Sequence, residues 1–335
     1  MTPRLQFTFR IFFLLRFIFP TPALADDTSA LQSALAAACK KGEVLRLPPG
    51  TFKISQPLVI SGRTGPLCRG IVGSGFDTVL STDLEIPLIV LDSSSGRLDD
   101  IEIGRMKLAN TNANATSDDG ILIQGNDWIS HCRFHDIKFI ATSRGIRNIM
   151  TAQKHDWNLY TLLDFENLGN KNVQSAIQFE RGGGGTGNVF SNMTMICGTV
   201  CIQMGMPSKG TLLGLGDVLF SNLHMGAPSV GADRTPIGIK LRSGGVYGER
   251  ISIIGSQFDA GLDLGIDIKD ASQVTVVGNN FGGATKNSII NVKEYLFDGN
   301  GMGDTTPKLE LRSEKPSVRA NLLLSAGSTD PTPLS

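Results

Sequence analysis

The feature that most restricts what this chain can fold into is a short phrase that keeps returning. Phe165-Glu166-Asn167-Leu168, Phe190-Ser191-Asn192-Met193 and Phe220-Ser221-Asn222-Leu223 each place an aromatic residue two positions before a corner Asn. Looser copies contain Asp136, Gln257 and Asn280, and the steps from Asp136 to Asn280 are 31, 25, 30, 35 and 23 residues. A second phrase follows about ten residues later: a small residue, an apolar one, a polar one, an apolar one. It reads Ala176-Ile177-Gln178-Phe179, Cys201-Ile202-Gln203-Met204, Gly238-Ile239-Lys240-Leu241, Gly265-Ile266-Asp267-Ile268 and Ile289-Ile290-Asn291-Val292. Self-similarity at this period marks stacked repeats that bury their apolar faces against one another. Inside each unit apolar and polar residues alternate, the period of a strand. A β-sandwich also alternates, but it does not bring the same residue types back to the same points. The expected fold is therefore all-β, a single parallel β-helix of about 7–9 coils. Asn suits its corners because it tolerates the left-handed conformation, and stacked amides can form a ladder.

The ends read differently. Residues 1–25 have the pattern of a secretory signal: Arg4 and Arg10, an apolar run from Ile11 to Phe19 broken by Arg16, then Ala23-Leu24-Ala25. The expected location is secreted or periplasmic. No later run reaches the roughly 20 apolar residues of a membrane span. Asp26 to Gly42 reads as a capping helix over 28–41, with Ser29 and Gln32 as a capping box and Gly42 as its stop. Such a cap covers strand edges and core at the open end of a solenoid. The β-helix domain is expected over 26–303. Residues 304–335 form a C-terminal extension whose end, rich in Gly, Ser, Pro and Thr, reads as disordered.

Basic and acidic residues number 31 each, and the signal removes only basic ones. That balance argues against nucleic acid or an anionic membrane as partner. The five cysteines all lie beyond residue 25. Cys39 with Cys68, and Cys197 with Cys201 or Cys132, are the pairings open to them, and an odd count leaves one thiol over.

The run from Asp26 to Leu35, the strand and turn Val44-Leu45-Arg46-Leu47-Pro48-Pro49-Gly50-Thr51-Phe52, and Ile71-Val72-Gly73-Ser74-Gly75 together resemble the entry segment of the pectate-lyase-like superfamily. The specific likeness spans residues 26 to 80. It implies the right-handed parallel β-helix and a carbohydrate polymer as partner. The superfamily holds lyases, hydrolases, epimerases and trimeric tailspike depolymerases, so the reaction stays open and a homotrimer is a candidate assembly. Asp118-Asp119-Gly120-Ile121 and Gly238-Ile239-Lys240 resemble pieces of the polygalacturonase signature. They lie four coils apart, about 19 Å, and the Gly-His-Gly element is missing. No single polygalacturonase-like site can use both.

Used as a ruler, the phrases locate padding. The step from corner to second-phrase apolar residue is ten for most coils, but sixteen from Arg105 to Ile121 and seventeen from Asn222 to Ile239. The stretch from Ile146 to Asn167 also looks long and contains His155, Trp157 and Tyr160. Such insertions are where solenoids commonly bind ligands. The outward residues of the second phrase trace a face: Leu122, Arg147, Gln178, Gln203, Lys240, Asp267 and Asn291.

Two charged clusters emerge. Asp118, Asp119, Arg144 and Arg147 offer candidate calcium ligands in the two acids and a carboxylate clamp or base in the arginines. Lys240, Arg242, Asp263 and Asp267 form the second. His155, Trp157, Tyr160, Gln178 and Gln203 are candidate substrate-binding residues, the rings for sugar faces. The leading expectation is an exported enzyme cleaving a uronate-containing polysaccharide by β-elimination. The alternatives are a glycoside hydrolase, which needs two carboxylates about 5 to 9.5 Å apart, and a non-catalytic polysaccharide-binding or surface β-helix.

Overall fold

The computed structural model describes residues 26–62, 68–112, 114–151, 154–166, 175–180, 185–205, 216–227, 236–242, 250–259, 261–282, 286–302, 308–313 and 321–324. The signal-like segment 1–25, Asn167, and the tail from 325 lie outside them. The chain is a right-handed parallel β-helix with three sheets along its axis. Sheet A has 15 strands, sheet B ten, and sheet C is a short ribbon of Leu98–Asp99, Ile129–Ser130 and His155–Asp156. All strand pairs between coils are parallel, and past Asp304 the strands Lys308–Ser313 and Asn321–Leu324 still pair onto sheets B and A.

The one described helix, Thr28–Lys41, covers the first coils with Leu31, Leu35 and Cys39, and ends on Gly42 in the left-handed conformation at φ 68°. The capping box does not form. Gln32 instead brackets Val59, accepting from its N–H at 2.8 Å and donating to its carbonyl at 3.0 Å. The helix start is tied by Asp26, whose carboxylate accepts from Thr28 and Ser55. Those hydroxyl and amide donors, Ser55 first, hold its pKa down at about 2. Gln32 therefore fixes helix to solenoid, a tertiary contact that local sequence does not reveal.

Second-phrase register is as read from the sequence: Ile121, Ile146, Ile177, Ile202, Ile239 and Ile266 stack on sheet B. The row beside them runs Leu122, Arg147, Gln178, Gln203, Lys240 and Asp267; Asp267 then pairs with Ser288, so Asn291 stands three residues past the level that the sequence phrase gives it, and the irregularity after Leu264 accounts for only one of the three. The small residue of the phrase has a packing cause. A second apolar row on sheet A, Phe139, Phe165, Met195, Met225, Phe258, presses across the core onto it. A Cβ on Gly145 would stand 2.1 Å from the Phe165 ring and 2.7 Å from the Ala176 carbonyl; one on Gly238 would stand 2.8 Å from Phe258. Gly145→Ala is accordingly expected to destabilise by about 1–3 kcal/mol through overpacking. Phe165→Leu in the same chain should recover part of that loss in a urea midpoint, and strict additivity would show that the ring is not the obstacle.

The first phrase is partly out of register. Tyr160, not Phe165, pairs with Phe190, and Phe165 pairs with Met195. Rings at Phe134, Tyr160 and Phe190 stack at 4.6 Å, with Phe220 next at 5.2 Å. Each long strand of sheet A carries two inward apolar positions five residues apart, as in Phe134/Phe139 and Tyr160/Phe165, so a sequence match can lock onto the wrong one. The left-handed corner row that results is Arg105, Asp136, Leu162, Asn192, Asn222, Gly255, Gly278 and Gly299. Gln257 and Asn280 lie beyond it, level with His224. An outward amide pair does form there, Asn222 to Asn192 at 2.7 Å. The main ladders are buried: Asn158 with Asn188, and Asn279 with Asn300, each amide also capturing backbone groups of neighbouring coils. These satisfy buried main-chain groups at turns, where an unpaired one would cost about 1–3 kcal/mol.

Cys39 and Cys68 form one disulfide, Cys197 and Cys201 another, and Cys132 is a buried thiol. No described helix is long and apolar enough to cross a membrane.

Candidate functional site

Correct register removes one insertion. Ile146 to Leu162 is sixteen residues, against fifteen for Ile121 to Asp136 and for Ile177 to Asn192. The stretch holding His155, Trp157 and Tyr160 is thus ordinary coil, not a padded loop, and two of the three residues face inward. Tyr160 is fully buried between Phe134 and Phe190. His155 is fully buried too, its Nε2 2.5 Å from the Tyr160 hydroxyl and its Nδ1 without a partner. Loss of water lowers the His155 pKa to about 3 and raises that of Tyr160. Neither ring reaches a ligand outside the coil. Trp157 does face solvent, on sheet C.

The first charged cluster is likewise internal. Asp118 is 1% exposed, with one oxygen accepting from the Ser143 amide and hydroxyl and the other from Asn110 at 2.8 Å. Asp119 is 2% exposed and receives Arg144 Nε at 2.5 Å, while Arg147 Nη1 lies 3.7 Å from its second oxygen. Burial is the leading influence on Asp119 and pushes its carboxyl above the usual range, more than the arginines pull it down. Arg144 is closed in by Asp119 and by the Ser117 carbonyl at 3.0 Å. Calcium wants six to eight oxygen ligands. Here the acids are turned toward guanidinium, amide and hydroxyl donors, so the pair does not fit such a site. Among the described residues no group of three or more His, Cys, Asp or Glu is placed to hold a metal.

On the sheet B face Arg147, Gln203, Lys240 and Arg242 are half-buried, while Gln178, Glu180 and Asp267 beside them are buried. Arg147 binds Glu180 through Nε at 2.6 Å; Gln178 Nε2 reaches the same oxygen at 3.3 Å. Glu180 did not emerge as a sequence candidate, although it stands two residues after Gln178 and the strand period could have pointed to it. Further along, Lys240 sits in register between Gln203 and Asp267, and Arg242 ion-pairs with Asp267 while donating to its carbonyl at 2.9 Å. Asp263 precedes the strand. At about 3.3 Å per residue it lies about 13 Å along the chain from Asp267, beyond the carboxylate spacing of a glycosidase. The two acid pairs offered by the sequence for hydrolysis, Asp118/Asp119 and Asp263/Asp267, therefore do not assemble a surface acid–base pair. The row from Leu122 to Ser288 spans seven strands, about 30 Å at the usual inter-strand spacing.

No protein-family model matches the sequence, and comparison with curated proteins gives no match. Solved structures do resemble the fold. The A-module of the mannuronan C-5 epimerase AlgE6 of Azotobacter vinelandii aligns at TM-score 0.57 and 12% identity, over 89% of this chain and 94% of that one. The A-module of the mannuronan C-5 epimerase AlgE4 from the same organism aligns at TM-score 0.51 and 14% identity, over 85% and 86%. At such identities the likeness is one of fold.

Proposed function

We propose that the chain is an exported protein that binds an acidic polysaccharide along sheet B and cleaves it by β-elimination. The observation that carries this reading is the row itself: half-buried Arg147, Gln203 and Lys240 rising in register with the buried Gln178 between the first two, and Glu180, Arg242 and Asp267 holding them from the side. A row of cations and amides rising strand by strand suits a polymer whose sugars carry carboxylates. Two disulfides support export. The two epimerase modules of the same fold are named for mannuronan, a polyuronate.

In this reading Arg147 and Arg242 neutralise uronate carboxylates, which makes the neighbouring C–H acidic. The neutral Lys240 amine takes that proton, the electron pair forms the C4–C5 double bond as the bond from C4 to the leaving oxygen breaks, and the Lys240 ammonium so formed returns the proton to the departing oxygen. The competing reading is binding without cleavage. It is favoured by the pairing of Asp119 with Arg144, Glu180 with Arg147 and Asp267 with Arg242, which fixes carboxylates in place.

Incubation with a panel of uronic-acid polymers separates the two. Cleavage should give a rising ultraviolet absorbance from unsaturated ends, abolished by Lys240→Ala and given a higher KM by Arg147→Ala. Reducing ends without that absorbance would replace elimination by hydrolysis. Gel retardation by the polymers with neither signal would leave the binding reading. Absence of retardation and of product alike would overturn both.

A further inference from the structure

Sheet C carries a surface that the sheet B face does not use. The chain has two tryptophans, and both lie on this ribbon with exposed rings: Trp128 at 38% and Trp157 at 58%. Leu98, Ile129 and His155 pair along it, which sets Arg97, Trp128 and Lys154 level on consecutive coils just before them. Trp157 follows three residues after Lys154, at the corner where Asp100 and His131 occupy the same left-handed position on earlier coils. From strand rise and spacing, the two tryptophan Cα atoms lie about 11 Å apart, roughly the span of a disaccharide.

Both rings are braced rather than loose. The Arg97 guanidinium lies 6.0 Å from the centre of the Trp128 ring. The Trp157 indole lies against Gly187 on the next coil, where a Cβ would come within 2.3 Å of it. One indole face is thus supported by main chain and the rest is open. Trp157 also holds φ at 57°, an uncommon conformation for so bulky a residue. Asp100 and His131 share that conformation on earlier coils, so the corner sets the backbone; what is particular to this coil is that a large apolar ring stands on the corner with 58% of its surface open.

The polar groups around the rings decide what fits. Arg97 pairs with Asp99 and Lys154 lies 3.7 Å from Asp127, which leaves the Asp156 carboxylate as the remaining charge beside the rings. Asp99 also accepts from Ser130, and Asp156 accepts from the Thr186 amide at 2.6 Å. The surface therefore combines flat apolar faces with fixed hydrogen-bonding groups and no net attraction for an anion. Indole faces stack on sugar C–H surfaces, and neighbouring carboxylates accept hydroxyl hydrogens.

From this we infer a second carbohydrate site, formed by Trp128 and Trp157 of sheet C with Asp99, Asp156 and Arg97, that takes a neutral glycan. It is separate from the sheet B face and does not depend on that face being catalytic. Because the site contains every tryptophan of the chain, intrinsic tryptophan fluorescence reports on it alone.

The experiment titrates the full-length protein with dextran, a soluble β-glucan, galactomannan and a polyuronate. Indole emission is followed alongside affinity gel electrophoresis in the same polymers. At least one neutral polymer should shift the emission and retard the protein. Trp157→Ala should weaken that retardation at least tenfold, and Trp128→Ala should weaken it as well. Retardation by the polyuronate should stay unchanged in both variants, which also reports that they remain folded. No emission change with any neutral polymer overturns the inference, as does a response confined to the polyuronate. Retardation by a neutral polymer that survives both substitutions overturns it as well, whatever the sheet B assay gives.

Discussion

Lowering the pH from 6.5 toward 3 is expected to remove roughly 5 kcal/mol of folding free energy through His155 alone. The ring is fully buried and its pKa falls from 6.5 to about 3 on folding because the charged form would lose its water. The unfolded chain takes up a proton below pH 6.5 while the folded chain refuses it. The contribution is therefore complete above 6.5 and is lost progressively as the pH falls. His155→Leu should flatten this acid limb. At pH 7 the variant should be less stable by about 1–3 kcal/mol, since the Tyr160 hydroxyl loses its partner. Denaturant midpoints between pH 7 and pH 4 would show the two curves converging. Curves that stay parallel would exonerate His155 and place the acid sensitivity elsewhere.

Asp119→Ala should be nearly as severe, a loss of about 3–5 kcal/mol, because it leaves the Arg144 guanidinium buried without its carboxylate. The partners have side chains 3% and 8% exposed and meet at 2.5 Å. Arg144→Met added to Asp119→Ala should restore most of the loss, since the cost comes from an uncompensated charge and not from a missing attraction. Lys240→Ala, on the sheet B surface, should change stability by no more than about 0.5 kcal/mol. Urea midpoints of the four proteins decide the matter. An Asp119→Ala protein as stable as the parent would mean that the pair is not closed off from water, and would return Asp119 to the list of catalytic candidates.

How much of this was legible in the chain differs by row. The second phrase could be read because its outward residue is chemically free while the flanking Ile positions are not. Only the last member, Asn291, is out of place: Asp267 pairs with Ser288, because the last coil is three residues shorter than the repeated phrase suggests. The first phrase misled because Tyr160 and Phe165 are interchangeable to a pattern of aromatic residues, yet they occupy different stacks. That slip placed His155 and Tyr160 in a supposed loop when they belong to the core. Glu180 escaped notice because its significance lies in Arg147, on another strand, and in no neighbour of its own. Trp128 escaped because sheet C is only two residues wide and too short to show a period.

By itself the sequence determined that the chain stacks coils, that a helix closes the first of them, and which residues rise in line along sheet B. Periodicity and residue size are local properties, and they act wherever the chain goes. Whether an acid or a ring in that stack meets water was decided only by tertiary structure. Asp119 and Arg147 lie on adjacent strands of the same sheet, yet one is sealed inside and the other stands on the surface. What closes in Asp119 is Arg144 of the next coil, a neighbour brought by the stacking of coils and 25 residues away along the chain.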